Sequence, residues 1–189
     1  MSNRVNMKTN ALLLFLFVFL TTGISAQNSI YSTRTGEIYF ISDAPLEVIE
    51  ASSNTLAGKI DASNNTFAFS ILIQSFDGFN SPLQRQHFNE NYMESHKYKV
   101  SVFKGKIVDE VDFTKDGTYE VTAKGTLDIH GVTVEREIKG TLTISNGKIN
   151  LTTEFDVALK DHKIKIPSVV VKNIAEVVKV TVNINFAKK

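Results

Sequence analysis

The dipeptides His130-Gly131 and Asn146-Gly147 constrain this chain most, because the residues on either side of each are apolar at nearly every second position. A side-chain period of two means extended backbone, and a two-residue turn between two such runs decides which residues face each other. Folding about His130-Gly131 sets Ile129 opposite Val132, Leu127 opposite Val134, Ala123 opposite Ile138 and Tyr119 opposite Leu142, while outward Lys124 meets outward Glu137. Folding about Asn146-Gly147 sets Ile144 opposite Ile149, Leu142 opposite Leu151 and Ile138 opposite Phe155, with Lys139 against Glu154 on the wet face. A slip of one residue would send the whole apolar set into water, so the register is strongly specified. Histidine tolerates positive φ and a glycine follows it, which makes His130 a turn residue rather than a metal ligand or catalyst.

The alternation recurs through Phe67, Phe69, Ile71 and Ile73, and again through Val178, Val180, Val182, Ile184 and Phe186. Phe103, Ile107, Val111 and Phe113 come into line with Tyr119 and Val121 only across a connection of odd length, which predicts a bulge or a longer loop near Lys115-Asp116-Gly117. A single helical signal interrupts the strands. Ser81 can cap a helix whose first residue is Pro82, with Gln84 in the capping-box position, and Leu83, Phe88, Tyr92 and Met93 supply its apolar contacts. That segment either forms a lid over one end of the sheet or is a connection packed on the core. Many antiparallel strands must dispose of their edges in a two-sheet sandwich or a closed barrel, and the pattern alone leaves both open.

Several functions are excluded by what the chain lacks. It has 189 residues and no cysteine, so disulfides, thiolate metal sites and cysteine nucleophiles are out. Lys and Arg number 21 against 20 Asp and Glu, a balance that offers nucleic acid no strong field. The beginning reads as a secretory signal over residues 1–26, with Arg4 and Lys8, an apolar run from Ala11 to Leu20, and Ser25-Ala26 for cleavage. That run is shorter than the roughly 20 residues a membrane span needs. Residues 27–189 are therefore expected to be one exported domain, periplasmic or secreted and not an integral membrane protein. No hydrolase elbow, metalloprotease pair or phosphate-binding loop is present. His87, Glu90, Glu94 and His96 crowd one segment at a spacing that fits no usual ligand motif, and a solvated face explains them. The expectation is a non-enzyme with no catalytic residues, no metal and no cofactor beyond a bound ligand.

Three blocks bear a further resemblance. Ser75 to Ile107, Gly125 to Thr133 and His162 to Ile184 resemble characteristic stretches of the YceI-like family of exported lipid-binding proteins, in family order and spacing. The matching positions are Phe88, Asn89, Tyr92, Met93, Phe103, Gly105, Leu127, Gly131 and Ile166-Pro167. The resemblance implies a mainly β fold, an extended antiparallel lipocalin-like barrel of about eight strands with a short helical lid, and an apolar tunnel for an isoprenoid or other long-chain lipid. Its expected lining is Phe69, Ile71, Ile73, Phe88, Tyr92, Phe103, Leu127, Leu142, Phe155, Val182 and Ile184. Arg136 is the one charge on the dry face of its strand. In this register it lies between Gly125 and Val157, either holding a polar head group or reaching solvent at the rim. The expected partner is an isoprenoid or fatty-acyl lipid, with a homodimer left open. The competing reading is a ligand-free envelope interaction or stress-response barrel filled by its own side chains.

Overall fold

The structure, a computed structural model, describes residues 29–188, so the signal reading of residues 1–26 lies outside it. Eight strands close on themselves in chain order: β1 (Ile30–Asp43), β2 (Val48–Asp61), β3 (Thr66–Leu72), β4 (Val100–Ile107), β5 (Gly117–Ile129), β6 (Val132–Ser145), β7 (Lys148–Ala158) and β8 (Val177–Lys188). Every neighbouring pair is antiparallel, and β1 closes the cylinder against β8 from Tyr31↔Lys188 to Ile41↔Lys179. The edge problem is thus solved by closure rather than by a second sheet.

The His130-Gly131 hairpin has the register the alternation dictates, from Ile129↔Val132 through Leu127↔Val134 and Ala123↔Ile138 to Tyr119↔Leu142. Lys124 and Glu137 form the expected cross-strand pair at 2.9 Å. Both turns have positive φ at both central residues, 53° and 68° at His130 and Gly131 and 50° and 73° at Asn146 and Gly147, the geometry that matches strand twist. Gly131 is required twice over, since a Cβ there would also lie 2.4 Å from the Tyr98 ring. The connection from β4 to β5 is the longer loop expected, because β4 ends at Ile107 and leaves Val111 and Phe113 off the ladder.

The second hairpin departs from expectation. Ile144↔Ile149 and Leu142↔Leu151 pair as reasoned, but the β6–β7 ladder ends at Thr141↔Thr152. Ile138 and Phe155 therefore do not pair, and Glu154 meets Lys179 on β8 at 3.2 Å instead of Lys139. Side chains stitch the parted strands: Thr153 Oγ1 donates to the Lys139 carbonyl at 2.6 Å, and Arg136 Nη2 donates to the Asp156 carbonyl at 2.6 Å. On the other side of β5, Gly105 faces Gly125, and a Cβ on either would fall 2.1 Å from a carbonyl oxygen of the facing strand. Two side-chain-free positions there let the backbones of β4 and β5 approach closely.

The interior has two halves. At the end bearing the β2–β3, β4–β5 and β6–β7 connections, Ile60, Leu142, Ile149 and Phe186 are buried completely or nearly so, packed with Tyr31, Phe67 and Ile144 into a solid floor. The other half is hollow.

Candidate functional site: an apolar cavity under a helical lid

The hollow half encloses about 530 Å³, within the range of roughly 300–1,000 Å³ typical of small-molecule sites. Its walls come from nearly every strand because inward positions recur at every second residue of each: Phe69 and Ile71 on β3, Phe103 on β4, Leu127 on β5, Phe155 on β7, Val182 and Ile184 on β8. Ile73 joins from the turn that follows β3, and Phe88 and Tyr92 from the lid. Ten of the expected lining residues thus face one space. Leu142 and Arg136 do not. Leu142 is fully buried in the floor, and Arg136 spends its guanidinium on the Asp156 carbonyl at the β6–β7 seam. Arg136 keeps its inward parity, since Gly125↔Arg136 falls between Leu127↔Val134 and Ala123↔Ile138, but the β6–β7 ladder ends at Thr141↔Thr152 and the side chain reaches across the open seam to Asp156.

The lid follows from its sequence. Ser81 Oγ accepts from the Gln84 amide at 3.2 Å, Gln84 Oε1 accepts from the Asn80 amide at 3.0 Å, and α1 (Pro82–His87) begins at the proline. After one short helix the chain widens into a π turn over Phe88–Tyr92. Asn89 holds that turn by donating to the Arg85 carbonyl at 3.0 Å and accepting from Ser95 Oγ at 2.8 Å. The turn drives Phe88 inward, where it stacks on Phe40 at 5.5 Å and meets Phe79 at 5.0 Å and Phe76 at 5.9 Å. This aromatic roof includes Phe40, Phe76 and Phe79, which the alternation did not single out. Phe76 and Phe79 lie in irregular backbone with no period to read, and only the density of phenylalanine around Phe67–Phe79 hints at them.

Two polar clamps hold the lid. Glu47, between β1 and β2, accepts from Gln84 Nε2 at 2.9 Å and from Asn173 Nδ2 at 3.1 Å, tying the lid to the β7–β8 connection. On the far side, His130 Nε2 lies 2.8 Å from Glu94 and its Nδ1 lies 3.2 Å from the His162 carbonyl. His162, wholly buried, places Nδ1 3.1 Å from the Val132 carbonyl. The turn residue His130 is therefore also a latch, a role invisible without the lid's path. Glu94 is committed to it and Glu90 accepts from Gln86, so the His87–His96 cluster does not converge. Among the described residues no group of three or more His, Cys, Asp or Glu side chains is placed to hold a metal ion. Burial, with the Glu47 charge second, pushes the Tyr92 phenol above its ordinary pKa.

Polar groups line the mouth, with Asn80, Gln84, His87 and Asn173 among them, while the deeper wall is mostly hydrocarbon, interrupted by Ser70, Ser101 and, at the β6–β7 seam, Lys139 and Thr153. Such a site can grip a long apolar chain and leave a polar end near water.

A closed eight-stranded barrel with a roofed apolar cavity is a lipocalin-like architecture, with an interior wide enough for one small ligand. Residues 31–186 match the YceI-like domain, and the chain belongs to the YceI-like family. Among solved structures it is similar to a polyisoprenoid binding domain from Saccharophagus degradans implicated in plant cell wall breakdown, with a TM-score of 0.72 and 14% identity over 85% of this chain and 99% of that one. BcnA of Burkholderia cenocepacia gives a TM-score of 0.64 and 15% identity, covering 80% and 96% of the two chains. A mutant Campylobacter jejuni YceI protein carrying a monobromobimane guest gives 0.55 and 15%, covering 71% and 81%. These likenesses establish the fold. No protein of curated function matches significantly. No helix among the described residues is long and apolar enough to cross a membrane.

Proposed function

We propose that this protein is an exported, non-catalytic carrier of an isoprenoid or other long-chain lipid, which it holds in the cavity beneath the lid. The single observation that carries this reading is the division of the interior. A barrel that needed only its own side chains for stability would be packed throughout, yet one half is solid and the other leaves about 530 Å³ open among apolar walls. Transfer of hydrocarbon from water gains about 0.8 kcal/mol per methylene, so ten buried carbons contribute about 8 kcal/mol before the costs of association. Shape and apolarity suffice for retention. The polyisoprenoid binding of the Saccharophagus degradans domain supports the same ligand class, and the signal-like residues 1–26 support export.

The test is mass spectrometry of an organic extract from the protein purified out of the compartment to which its own leader sends it. A prenyl or acyl lipid in stoichiometric amount is expected. A clean extract together with failure to take up added prenols, quinones and fatty acids would overturn the reading and leave a ligand-free interaction module.

A further inference from the structure

The β7–β8 connection, residues 159–176, closes on itself where the Leu159 amide donates to the Glu176 carbonyl at 2.9 Å. Its middle is unusual for a surface loop. Ser168–Val170 forms one tight turn, in which Val170 lines the cavity while Val169 is 87% exposed and the following Val171 is 48% exposed. Exposed apolar side chains continue across the mouth to Leu46 at 68% and Leu83 at 58%. The loop's Leu46 contact is direct, since the Leu46 amide donates to the Lys172 carbonyl at 2.9 Å. Scattered exposed valines need no explanation, but four exposed apolar side chains on the segments that border the opening of an apolar cavity do.

Charge selects what covers it. Lys160, Lys163, Lys165 and Lys172 are all exposed, and no ion pair among the described residues engages any of them. Against them the loop carries only Asp161 and Glu176, while Glu47 is occupied by its two amide donors and Glu50 by Tyr39. Lys165 and Lys172 bracket the exposed valines in the chain. Apolar tips flanked by free lysines fit an interface of acyl chains beneath anionic head groups.

We infer that the cavity mouth docks on an anionic lipid bilayer, with Val169 and Val171 entering the acyl boundary and Lys165 and Lys172 facing head-group phosphates. This places the opening against the phase in which a long-chain lipid resides, so the ligand passes between bilayer and barrel without crossing water. The inference rests on the carrier reading for its purpose, whereas its geometry stands on the rim alone.

Vesicle flotation tests it, using phosphatidylcholine vesicles with and without phosphatidylglycerol. The protein is expected to float with the anionic vesicles and to be released by salt. Lys165→Gln and Lys172→Gln are each expected to weaken partitioning about five-fold. Val169→Asp combined with Val171→Asp, at side chains too exposed to threaten the fold, is expected to abolish it, since each valine lost from the acyl boundary removes about ten-fold. Those valine variants should still take up a soluble prenol analogue from solution. Absence of flotation, or flotation that the valine pair leaves unchanged, overturns the inference. So does a concentration-dependent dimer that the valine pair dissolves in a protein that ignores vesicles, because that assigns the rim to a second copy. Flotation by a protein that binds no prenol would defeat the carrier reading and leave the docking surface standing.

Discussion

Truncating one leucine in the floor and one in the cavity wall separates the two halves of the interior. Leu142 is fully buried among packed neighbours, so Leu142→Ala opens a sealed hole and costs about 3–5 kcal/mol. At about 2–4 °C per kcal/mol for a domain of this size, the melting temperature should fall by about 10 °C. Leu127 is 6% exposed and already borders open space. Leu127→Ala loses the transfer term of three carbons, about 2.4 kcal/mol, with little added cavity penalty, and so lowers the melting temperature about half as far. Ligand binding should order the variants the other way. If a bound chain touches two of the three deleted carbons, affinity for a fluorescent prenol analogue falls by about 1.6 kcal/mol, or about fifteen-fold, in Leu127→Ala. It should stay within two-fold or so of wild type in Leu142→Ala at a temperature where the variant is folded. Calorimetry and probe titration on the same samples decide the matter. A Leu142→Ala protein that loses affinity as steeply as Leu127→Ala, or melts no earlier, would refute the division into solid floor and hollow half.

Gly125→Ala places a Cβ 2.1 Å from the Lys104 carbonyl oxygen, which is backbone and cannot swing aside. We expect at least about 3 kcal/mol of destabilisation, and a melting temperature within two or so degrees of wild type would contradict the close approach of β4 and β5. Arg136→Met should leave prenol affinity unchanged, because the side chain does not line the cavity, while amide exchange near Asp156 rises as the guanidinium bond is lost. Weakened binding without faster exchange would restore Arg136 to the ligand. The raised Tyr92 pKa gives the fold a stability contribution present below the ordinary phenol value of about 10 and lost as pH climbs through the higher folded value. Urea unfolding at rising pH should therefore show a loss that Tyr92→Phe lessens, even though Tyr39, raised by its bond to Glu50, titrates in both proteins.

Periodicity made the walls legible. Phe69, Ile71, Phe103, Leu127, Val182 and Ile184 sit where a period of two and a fixed register put them, and the His130-Gly131 turn carried that register through thirteen paired positions. Local rules also read the lid's start, since capping by Ser81 depends only on its immediate neighbours. Other features depended on the closed geometry. Nothing near Leu142 says that the barrel fills at one end and empties at the other. That difference comes from which turns cluster at which end and from the bulk of Phe67, Phe186 and Tyr31 gathered there from distant strands. Arg136 is legible only in part: the alternation places it correctly beside Gly125, but it does not say that β6 and β7 part beyond Thr141↔Thr152 and leave the Asp156 carbonyl to its guanidinium. The latch of His130 on Glu94 spans 36 positions in sequence and depends on how the lid returns.

The parted stretch of β6 and β7 gives the barrel an adjustable girth. The β5–β6 and β7–β8 neighbours are joined by long consecutive backbone ladders, which change only by breaking many hydrogen bonds together. Along this line the wall is held by one hydroxyl and one guanidinium, each able to follow a carbonyl through a small displacement. Lys139, Gly140 and Thr153 border the cavity there. The wall can therefore spread at this place while the β5–β6 and β7–β8 ladders on either side keep their register. In the proposed carrier, the rigid floor would act as a ruler for length, and the seam would set how wide a chain the ruler can measure.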